Sequence, residues 1–278
     1  CPYGINGLQP ELSFVYNSHA GNGIMGVGWS IGGMSKISRV PYTYHYSDYN
    51  NAVTFTNNDD FSLDGNRLIK GSDGNYYPEV FDNSIISYDV GNGFIVRRPD
   101  GFIYRYGKTN ESRYYISGIN EPIEWHLEEI EDTYGTKIKI YYHNNVNEGS
   151  FYPDKIVYGK YEIRFKYHGD NDPDYAGRND TQKKYFSTSS SSGFSKITKL
   201  LTEVYFFYNN NDSWFQRYQL LYGGNNSEFP LAELVAIEKY GSNNYTRAAN
   251  KYCTSQFVWS NNERILHKDV AADTLFTG

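Results

Sequence analysis

The chain has 278 residues and a formal net charge of −6, and 29 tyrosines and 16 phenylalanines bring its aromatic content to 18%. This length can bury a full core, and the acidic balance excludes a generic polyanion binder. Cys1 and Cys253 are too few for a disulfide framework or a zinc site, although one bridge between them stays open. Cys1 fits either a lipidated N-terminus or an arbitrary fragment boundary, and no signal peptide is predicted.

The first predicted strand, "ELSFVYNS", leads into a glycine-rich stretch, "SHAGNGIMGVGWSIGG", at residues 18–33. From Gly21 the spacing is G-x-G-x-x-G, but a dinucleotide site needs a following helix, and residues 29–46 have no helical period. The least polar part has 12 residues, whereas a membrane-spanning helix needs about 20. The remaining interpretation is a tight architectural corner, in which glycines let the backbone pack around Trp29.

Alternating apolar and polar residues recur along the rest of the chain, with turn residues between them. The predicted strand segments are 52–56, 61–81, 84–107, 123–143, 154–168 and 199–223. Asp64-Gly65, Asp73-Gly74 and Asp100-Gly101 are hairpin turn signals within these segments. Segment 230–241 alternates but also comes near a helical period, so its type stays ambiguous.

The composition and the strand spacing together predict the fold class. Tyr and Phe pack well on pleated surfaces, and helix-forming Ala and Leu are scarce, so an all-β fold is expected. Short strands joined by tight turns predict an antiparallel meander of hairpins that forms an extended, curved sheet or shell segment with long loops. Residues 168–195 are polar and serine-rich, and they are predicted to form one such surface loop.

Candidate metal ligands do not assemble into a complete motif. The histidines are dispersed, without a metal-type pair, at His19, His45, His126, His143, His168 and His267. Asp170, Asp172 and Asp174 have the spacing that opens a calcium loop. An EF-hand needs Gly and Glu at two later positions, where this chain has Tyr175 and Thr181. A solvated acidic loop is therefore the favoured interpretation, and calcium binding by residues 168–195 stays open.

The candidate catalytic groups are four carboxylates. They are Glu128, Glu129, Glu131 and Asp132. Strand alternation places Glu129 and Glu131 on one face, which leaves a glycosidase pair open, beside the alternative of a purely structural cluster. The chain has no nucleophile elbow and no context for a catalytic cysteine. We expect no catalytic residue, no cofactor and no metal ligand in it.

Residues 8–39, "LQPELSFVYNSHAGNGIMGVGWSIGGMSKISR", closely resemble the opening signature of the SpvB-type N-terminal region. That region occurs in Salmonella virulence-plasmid B proteins and in the B components of insecticidal Tc toxins. The matching positions are Pro10, Leu12, Ser13, Tyr16, Asn17, Ser18, Gly21, Asn22, Gly23, Gly26, Gly28, Trp29, Ile37 and Arg39. Ile31 replaces the usual leucine. "DDFSLDGNRLI", "RRPDGFIYRYG" and "WHLEEIEDTYGTKIKIYY" resemble later elements of these proteins and of RHS/YD repeats, with Thr136 in place of asparagine.

Weaker similarity continues to the end of the chain. "PDYAGRND", "ITKLLTEVYFFY", "AELVAIEKYGSN" and "SQFVWS" resemble the family's later loop and closing strands, with Asn243 where the family prefers aspartate. The last residues, "ADTLFTG", resemble the lead-in to a propeller repeat of the FG-GAP or VCBS type. The resemblance implies one SpvB-like β-rich region over 1–278. Its expected parts are about 1–167, the loop at 168–195, return strands over 196–267 and the lead-in at 268–278.

The resemblance also implies a function. The SpvB region in this family contributes strands to a β-shell that encloses a toxic C-terminal cargo. We therefore expect a non-catalytic structural region of a secreted or surface-exported toxin-like protein. Its expected partners are a propeller and RHS repeats of the same polypeptide and a toxin-complex subunit, with no nucleic acid and no membrane span. The alternative is a carbohydrate-binding module that uses exposed tyrosines.

Overall fold

The computed structural model describes residues 1–56, 58–168, 180–188, 191–209, 213–224, 231–242 and 249–259. The first eleven strands are β1 (Ser13–Tyr16), β2 (Asn22–Gly23), β3 (Gly26–Val27), β4 (Trp29–Gly32), β5 (Lys36–Val40), β6 (Asp60–Leu63), β7 (Asn66–Lys70), β8 (Tyr76–Pro78), β9 (Ile85–Asp89), β10 (Gly93–Arg97) and β11 (Ile103–Tyr106). The later strands are β12 (Arg113–Tyr115), β13 (Pro122–Glu131), β14 (Lys137–Asn145), β15 (Ser150–Tyr158), β16 (Tyr161–Tyr167), β17 (Gln182–Ser187), β18 (Ser192–Ile197), β19 (Leu201–Tyr208), β20 (Trp214–Gly224), β21 (Ala232–Ser242) and β22 (Ala249–Gln256).

Helical structure is confined to short turns in this part of the chain. One α-helical turn, α1, spans Tyr44–Ser47, and 3₁₀ turns span Ile5–Gly7, Asn110–Ser112 and Val146–Glu148. The predicted all-β antiparallel fold class is confirmed. The described part of segment 230–241, ambiguous from its sequence, contains β21 (Ala232–Ser242), which pairs with strands on both of its sides.

The described chain divides into two compact units, and neither is one continuous segment. The first unit comprises residues 1–10, 34–159 and 183–196, and the second comprises residues 11–33, 160–182 and 197–278. The chain therefore passes between them several times. The consecutive division expected from the sequence, about 1–167, 168–195, 196–267 and 268–278, stays a prediction.

Eight strands of the first unit form a closed ring. The pairing order is β5, β6, β7, β8, β9, β10, β11 and β13, and β13 pairs again with β5. Trp125 of β13 lies opposite Ile37 of β5 in the closing pair. Closure gives every strand of the ring a hydrogen-bonding neighbour on both sides, so the ring has no free edge.

Aromatic side chains fill the interior of this ring. The ring centroids of Phe61, Tyr88, Phe94 and Trp125 lie 4.3–5.9 Å apart in every pairwise combination. Phe61 and Trp125 are each 1% exposed, and Phe94 is fully buried. An eight-stranded ring has just enough interior space for such side chains, so the closed sheet encloses a packed core.

Two predictions fail in the first unit. Segment 52–56 is not a strand, because the backbone N and Oγ1 of Thr54 donate to Asp59 Oδ1, at 2.8 and 2.6 Å, within a loop. The predicted surface loop 168–195 contains the β17–β18 hairpin. Phe194 of that hairpin forms an antiparallel bridge with Ser117, which gives the polar segment a backbone partner. Residues 169–179 and 189–190 of the predicted loop lie outside the described residues.

The second unit contains an open meander in which β16, β19, β20, β21 and β22 follow one another. The ladders are long, and β20 and β21 have 11 residues each. Register shifts interrupt them at Phe206/Phe207, Leu221/Tyr222 and Lys239/Tyr240. At each shift the side chains change from one face of the sheet to the other. The alternation of apolar and polar residues in the sequence of these strands is therefore interrupted there.

Candidate functional site

The glycine-rich segment (residues 18–33) forms nested hairpins together with β1 in the second unit. β1 pairs with β4 in the outer hairpin, with Tyr16 opposite Trp29, and β2 pairs with β3 in the inner one. The Gly28 N–H donates to Gly21 O at 3.2 Å, and the Ala20 N–H donates to Asn17 O at 2.9 Å. A phosphate loop requires backbone N–H groups that point at the ligand, whereas these donate within the segment. A strand, β4, also follows where the dinucleotide motif requires a helix.

Two of the glycines occupy positions that other residues fit poorly. Gly26 has φ +81°, and a Cβ there would lie 2.2 Å from Ala232 O. Gly28 has φ +75°, and a Cβ there would lie 2.6 Å from Cε2 of Tyr16. Positive φ disfavours L-residues with side chains, and the close approach leaves no room for a methyl group. These glycines therefore let the segment pack directly against its neighbours.

Trp29 is the aromatic anchor of the segment. Its side chain is 7% exposed, and its ring centroid lies 4.5 Å from that of Phe257 and 5.3 Å from that of Tyr16. Trp259 adds an edge contact with Tyr16 at 5.9 Å and donates from Nε1 to Leu234 O at 2.9 Å. The predicted packing around Trp29 is therefore present in the second unit, in the form of nested hairpins.

A buried carboxylate ties the glycine-rich segment to the sheet of the second unit. Asp180 is 6% exposed, and its Oδ2 accepts from Asn22 Nδ2 at 2.6 Å and from the Ala232 N–H at 2.7 Å. Beside it, the Leu201 N–H donates to Ile24 O at 2.7 Å. Sequence reasoning missed the role of Asp180, which lies in the polar segment. Its place at the end of the "PDYAGRND" motif was the available signal.

The carboxylates proposed as a catalytic pair belong to an ion network in the first unit. Arg105 Nη1 lies 2.8 Å from Glu129 Oε1 and 2.8 Å from Glu131 Oε2. Lys137 Nζ lies 3.0 Å from Glu129 and 3.3 Å from Glu131. The hydrogen bond from Arg105 lowers the pKa of Glu131, which favours its ionised form. A glycosidase proton donor needs the opposite shift, so this geometry suits a cross-strand ion network.

The other two carboxylates of the cluster bind local backbone and hydroxyl groups. Glu128 Oε2 accepts from the Thr109 N–H at 2.8 Å and from Ser112 Oγ at 2.5 Å. Asp132 Oδ1 accepts from the N–H groups of Tyr134 and Thr136, both at 2.8 Å. Glu128 therefore holds the 3₁₀ turn Asn110–Ser112, and Asp132 holds the turn between β13 and β14.

One histidine lies in a half-buried charged cluster that sequence reasoning did not identify. Glu124 accepts from Lys36 at 2.5 Å and lies 2.9 Å from His126 Nε2. Burial opposes ionisation of Glu124, but its bond with His126 and the charge of Lys36 outweigh it and hold its pKa well below the usual range. Burial lowers the pKa of His126, whose ring stacks 4.3 Å from Phe151. The period-2 spacing of Glu124 and His126 was the available signal.

The remaining predicted groups do not meet. His143 pairs with Asp154 at 3.1 Å and His19 lies 3.3 Å from Ser18 Oγ, whereas His267 and the Asp170–Asp172–Asp174 pattern lie outside the described residues. Over the described ranges, no three His, Cys, Asp or Glu side chains come together as a metal ion requires.

Cys1 and Cys253 are both free and exposed. No described helix is long and apolar enough to cross a membrane.

Arg39, a signature position of the resemblance, is buried in the first unit. Its Nη1 lies 2.9 Å from Asp59 Oδ2, and both side chains are 1% exposed. Its Nε donates to Pro122 O at 2.8 Å, and its guanidinium carbon lies 5.3 Å from the ring centroid of Trp125. The arginine is therefore paired, hydrogen-bonded and stacked on the aromatic core, as a buried charge requires.

Comparisons with known proteins agree with this architecture. Residues 2–84 match the family model described as Salmonella virulence plasmid 65kDa B protein. The crystal structure of TcdB2-TccC3 has a TM-score of 0.72 at 16% identity and covers 93% of this chain, which spans 16% of that one. The Photorhabdus luminescens Tc holotoxin pore has a TM-score of 0.72 at 16% identity, with coverages of 90% and 15%.

A shorter structure covers almost the same region as this chain. The N-terminal domain of effector protein SpvB from Salmonella typhimurium strain LT2 has a TM-score of 0.65 at 19% identity, and covers 85% of this chain and 95% of its own. No curated protein matches the chain in sequence. The family match over residues 2–84 supports the resemblance found in the sequence, and the chain shares its fold with the SpvB N-terminal domain and with part of TcdB2-TccC3.

Proposed function

We propose that this chain is a non-catalytic structural region of a secreted or surface-exported toxin-like protein. In that role it contributes strands to a β-shell that encloses or presents a C-terminal toxic cargo. The observation that carries the proposal is the fold shared with the SpvB N-terminal domain over 85% of the chain. Its proposed partners are a propeller and RHS repeats of the same polypeptide, together with a toxin-complex subunit.

The side-chain chemistry of the first unit supports a structural role. Glu129 and Glu131 are matched by Arg105 and Lys137, and Arg39 is matched by Asp59. Charges engaged in this way stabilise strand pairing and are poorly placed to transfer protons. The rival carbohydrate-binding module on exposed tyrosines has no support from the comparisons. Several tyrosines are core residues, among them Tyr106, Tyr158 and Tyr167, each at most 2% exposed.

Limited proteolysis of the complete polypeptide tests the proposal. We expect its C-terminal region to resist protease while residues 1–278 are folded, and to be cleaved when these residues are deleted. The matched comparison is the complete polypeptide carrying Glu11→Gln, a change at an exposed side chain in the second unit, which should stay protected. Equal cleavage with and without residues 1–278 would contradict the shell role. Substrate turnover that is abolished by Glu129→Gln would contradict the non-catalytic assignment.

A further inference from the structure

An open pocket of about 310 Å³ lies on the first unit, beside the 3₁₀ turn Asn110–Ser112. It is lined by Asn110, Glu111, Tyr115, Asn120, Asn144 and Val146. Its volume is at the lower end of the range for small-molecule sites, about 300–1,000 Å³. The pocket therefore has room for a small ligand of about one ring.

The wall of this pocket is held rigidly by neighbouring groups. Asn144 Nδ2 donates to Asn110 O at 2.8 Å and to Arg113 O at 2.7 Å. Glu128 also holds the same 3₁₀ turn, through Thr109 and Ser112. The side chains of Asn110 and Glu111 thus project from a fixed backbone, and a ligand that binds them pays little ordering entropy.

The polar groups of the lining match hydroxyl groups best. Asparagine amides both donate and accept hydrogen bonds, and an ionised carboxylate only accepts. The pKa of Glu111 is lowered by hydrogen bonds to its carboxylate from its own backbone N–H and from Thr109, so the group is ionised at neutral pH. A pair of adjacent hydroxyls can donate to Glu111 and at the same time exchange hydrogen bonds with an amide. Tyr115 and Val146 add apolar surface for C–H groups.

Nearby charge argues against ionic ligands. Arg113 Nη1 lies 3.5 Å from Asn110 Oδ1, which places one positive charge close to the negative charge of the Glu111 carboxylate in the lining. The two charges offset each other at the pocket, so neither a cation nor an anion is favoured there. A neutral ligand rich in hydroxyl groups is the remaining class. We propose that the pocket formed by Asn110, Glu111, Tyr115, Asn120, Asn144 and Val146 binds a saccharide unit.

This site differs from the tyrosine-based module considered from the sequence, because amides and one carboxylate supply its hydrogen bonds. It is also independent of the proposed scaffold function, since a shell region with a saccharide site and one without it would protect a cargo equally. Proteolysis of the complete polypeptide and ligand titration of this chain therefore report on separate proposals.

The test is a titration of the 278-residue chain followed by saturation-transfer NMR. The probes are the methyl glycosides of glucose, galactose, mannose and N-acetylglucosamine, with butylamine and inorganic phosphate as ionic comparators. We expect at least one glycoside to bind saturably at millimolar concentration. Glu111→Gln and Asn120→Ala should each weaken its binding by about tenfold. Glu11→Gln, a matched change at an exposed glutamate in the second unit, should leave binding unchanged.

Glu111 and Asn120 are exposed, so loss of binding in their variants can be distinguished from loss of folding. Thermal unfolding checks that each variant is folded. Saturable glycoside binding that both pocket variants weaken supports the proposal. The absence of saturable binding to any of the four glycosides overturns it. Glycoside binding that the pocket variants leave intact, or binding of butylamine or phosphate alone, overturns it as well.

Discussion

The two units bury their sheets in different ways. In the first, eight strands, all short except β13, close into a ring, and Phe61, Phe94 and Trp125 fill its interior. In the second, long strands form an open meander, and β1, which leads into the glycine-rich segment, packs on it with the ring centroid of Phe14 5.9 Å from that of Tyr218. A ring supplies its own second layer, whereas an open sheet needs another segment to cover its apolar face.

Glycine has two structural roles in these units. The ring has glycines at open turns and at close contacts: a Cβ at Gly74 would have nothing within 4 Å, whereas a Cβ at Gly93 would lie 2.1 Å from Tyr106 O. The glycine-rich segment, which packs on the open sheet, needs glycine where its backbone contacts a neighbour, as Gly26 contacts Ala232. Glycine at a turn supplies a backbone conformation, and glycine at a contact also supplies space.

Removing the side chain of Trp125 from the core of the first unit should have the largest effect on stability. Trp125 is 1% exposed and packs 5.2 Å from Phe94. We expect Trp125→Ala to lower the free energy of unfolding by about 3–5 kcal/mol, as measured by urea denaturation. The control is Tyr134→Ala, which removes a side chain that is 82% exposed and should change stability by about 0.5 kcal/mol or less. An unchanged midpoint for Trp125→Ala would show that the ring interior is not a packed core.

A pair of glycine substitutions separates backbone strain from lost space. Gly26 and Gly74 have φ of +81° and +86°, but only Gly26 has a neighbour, Ala232 O, within 4 Å of its added Cβ. Gly74→Ala should cost about 1–2 kcal/mol through strain alone. Gly26→Ala should cost about 1–3 kcal/mol more, because the methyl group displaces the backbone contact. Equal urea midpoints for the two variants would mean that the close approach at Gly26 contributes nothing.

The sequence predicted the local part of this fold and missed the long-range part. Asp64-Gly65 and Asp73-Gly74 specify their hairpins within a few residues, so the turns and the strands beside them were predicted correctly. Closure depends on pairing of β13 with both β5 and β11, and the β5 partner lies more than eighty residues away. Neither pairing leaves a periodic signal in either strand. The ring was therefore expected only as an extended, curved sheet.

The errors have local physical causes. The "AVTFT" segment alternates like a strand, but Thr54 instead binds Asp59, the partner of buried Arg39. The β17–β18 hairpin is rich in serine and resembles a loop in composition, and its pairing depends on contacts such as Phe194 with Ser117. Trp29 was predicted as a packing residue because glycines surround it. Asp180 was missed because a lone aspartate in a polar segment carries no periodic signal.

Substitution of Asp180 should have a smaller effect on stability, and it tests how the glycine-rich segment is held on the open sheet. Asp180→Ala leaves the Ala232 N–H and the Asn22 amide without this acceptor, at an expected cost of about 1–3 kcal/mol. Asp180→Asn retains one oxygen acceptor and should lose less stability. Hydrogen exchange at the Ala232 amide gives a direct readout, which should accelerate in Asp180→Ala more than in Asp180→Asn. Unchanged hydrogen-exchange protection of that amide would show that Asp180 does not stabilise the packing of the glycine-rich segment on the sheet of the second unit.

The smallest expected effect is a pH dependence specific to the first unit. Burial lowers the pKa of His126 from 6.5, so the unfolded chain binds its proton more readily than the folded one. The resulting stability is fully present above pH 6.5 and is lost as the pH falls through the lowered pKa of the folded state. Glu124, with its pKa lowered from 4.5, adds a second loss only in more acidic solution. The two groups therefore act in separate pH windows.

Replacing His126 with a residue that does not titrate tests its share of the stability lost between pH 7 and pH 5. His126→Gln keeps a polar side chain beside Glu124 and Lys36 but does not titrate. We expect urea midpoints of the parent to fall between pH 7 and pH 5, and those of His126→Gln to fall less over the same interval. Below pH 4.5 the unfolded chain takes up a proton at Glu124 before the folded one does, and His126→Gln should lose less stability there than the parent, because the variant lacks the histidine bond that lowers the pKa of Glu124. A variant that declines as steeply as the parent between pH 7 and pH 5 would show that the buried imidazole does not set the acid sensitivity of the first unit.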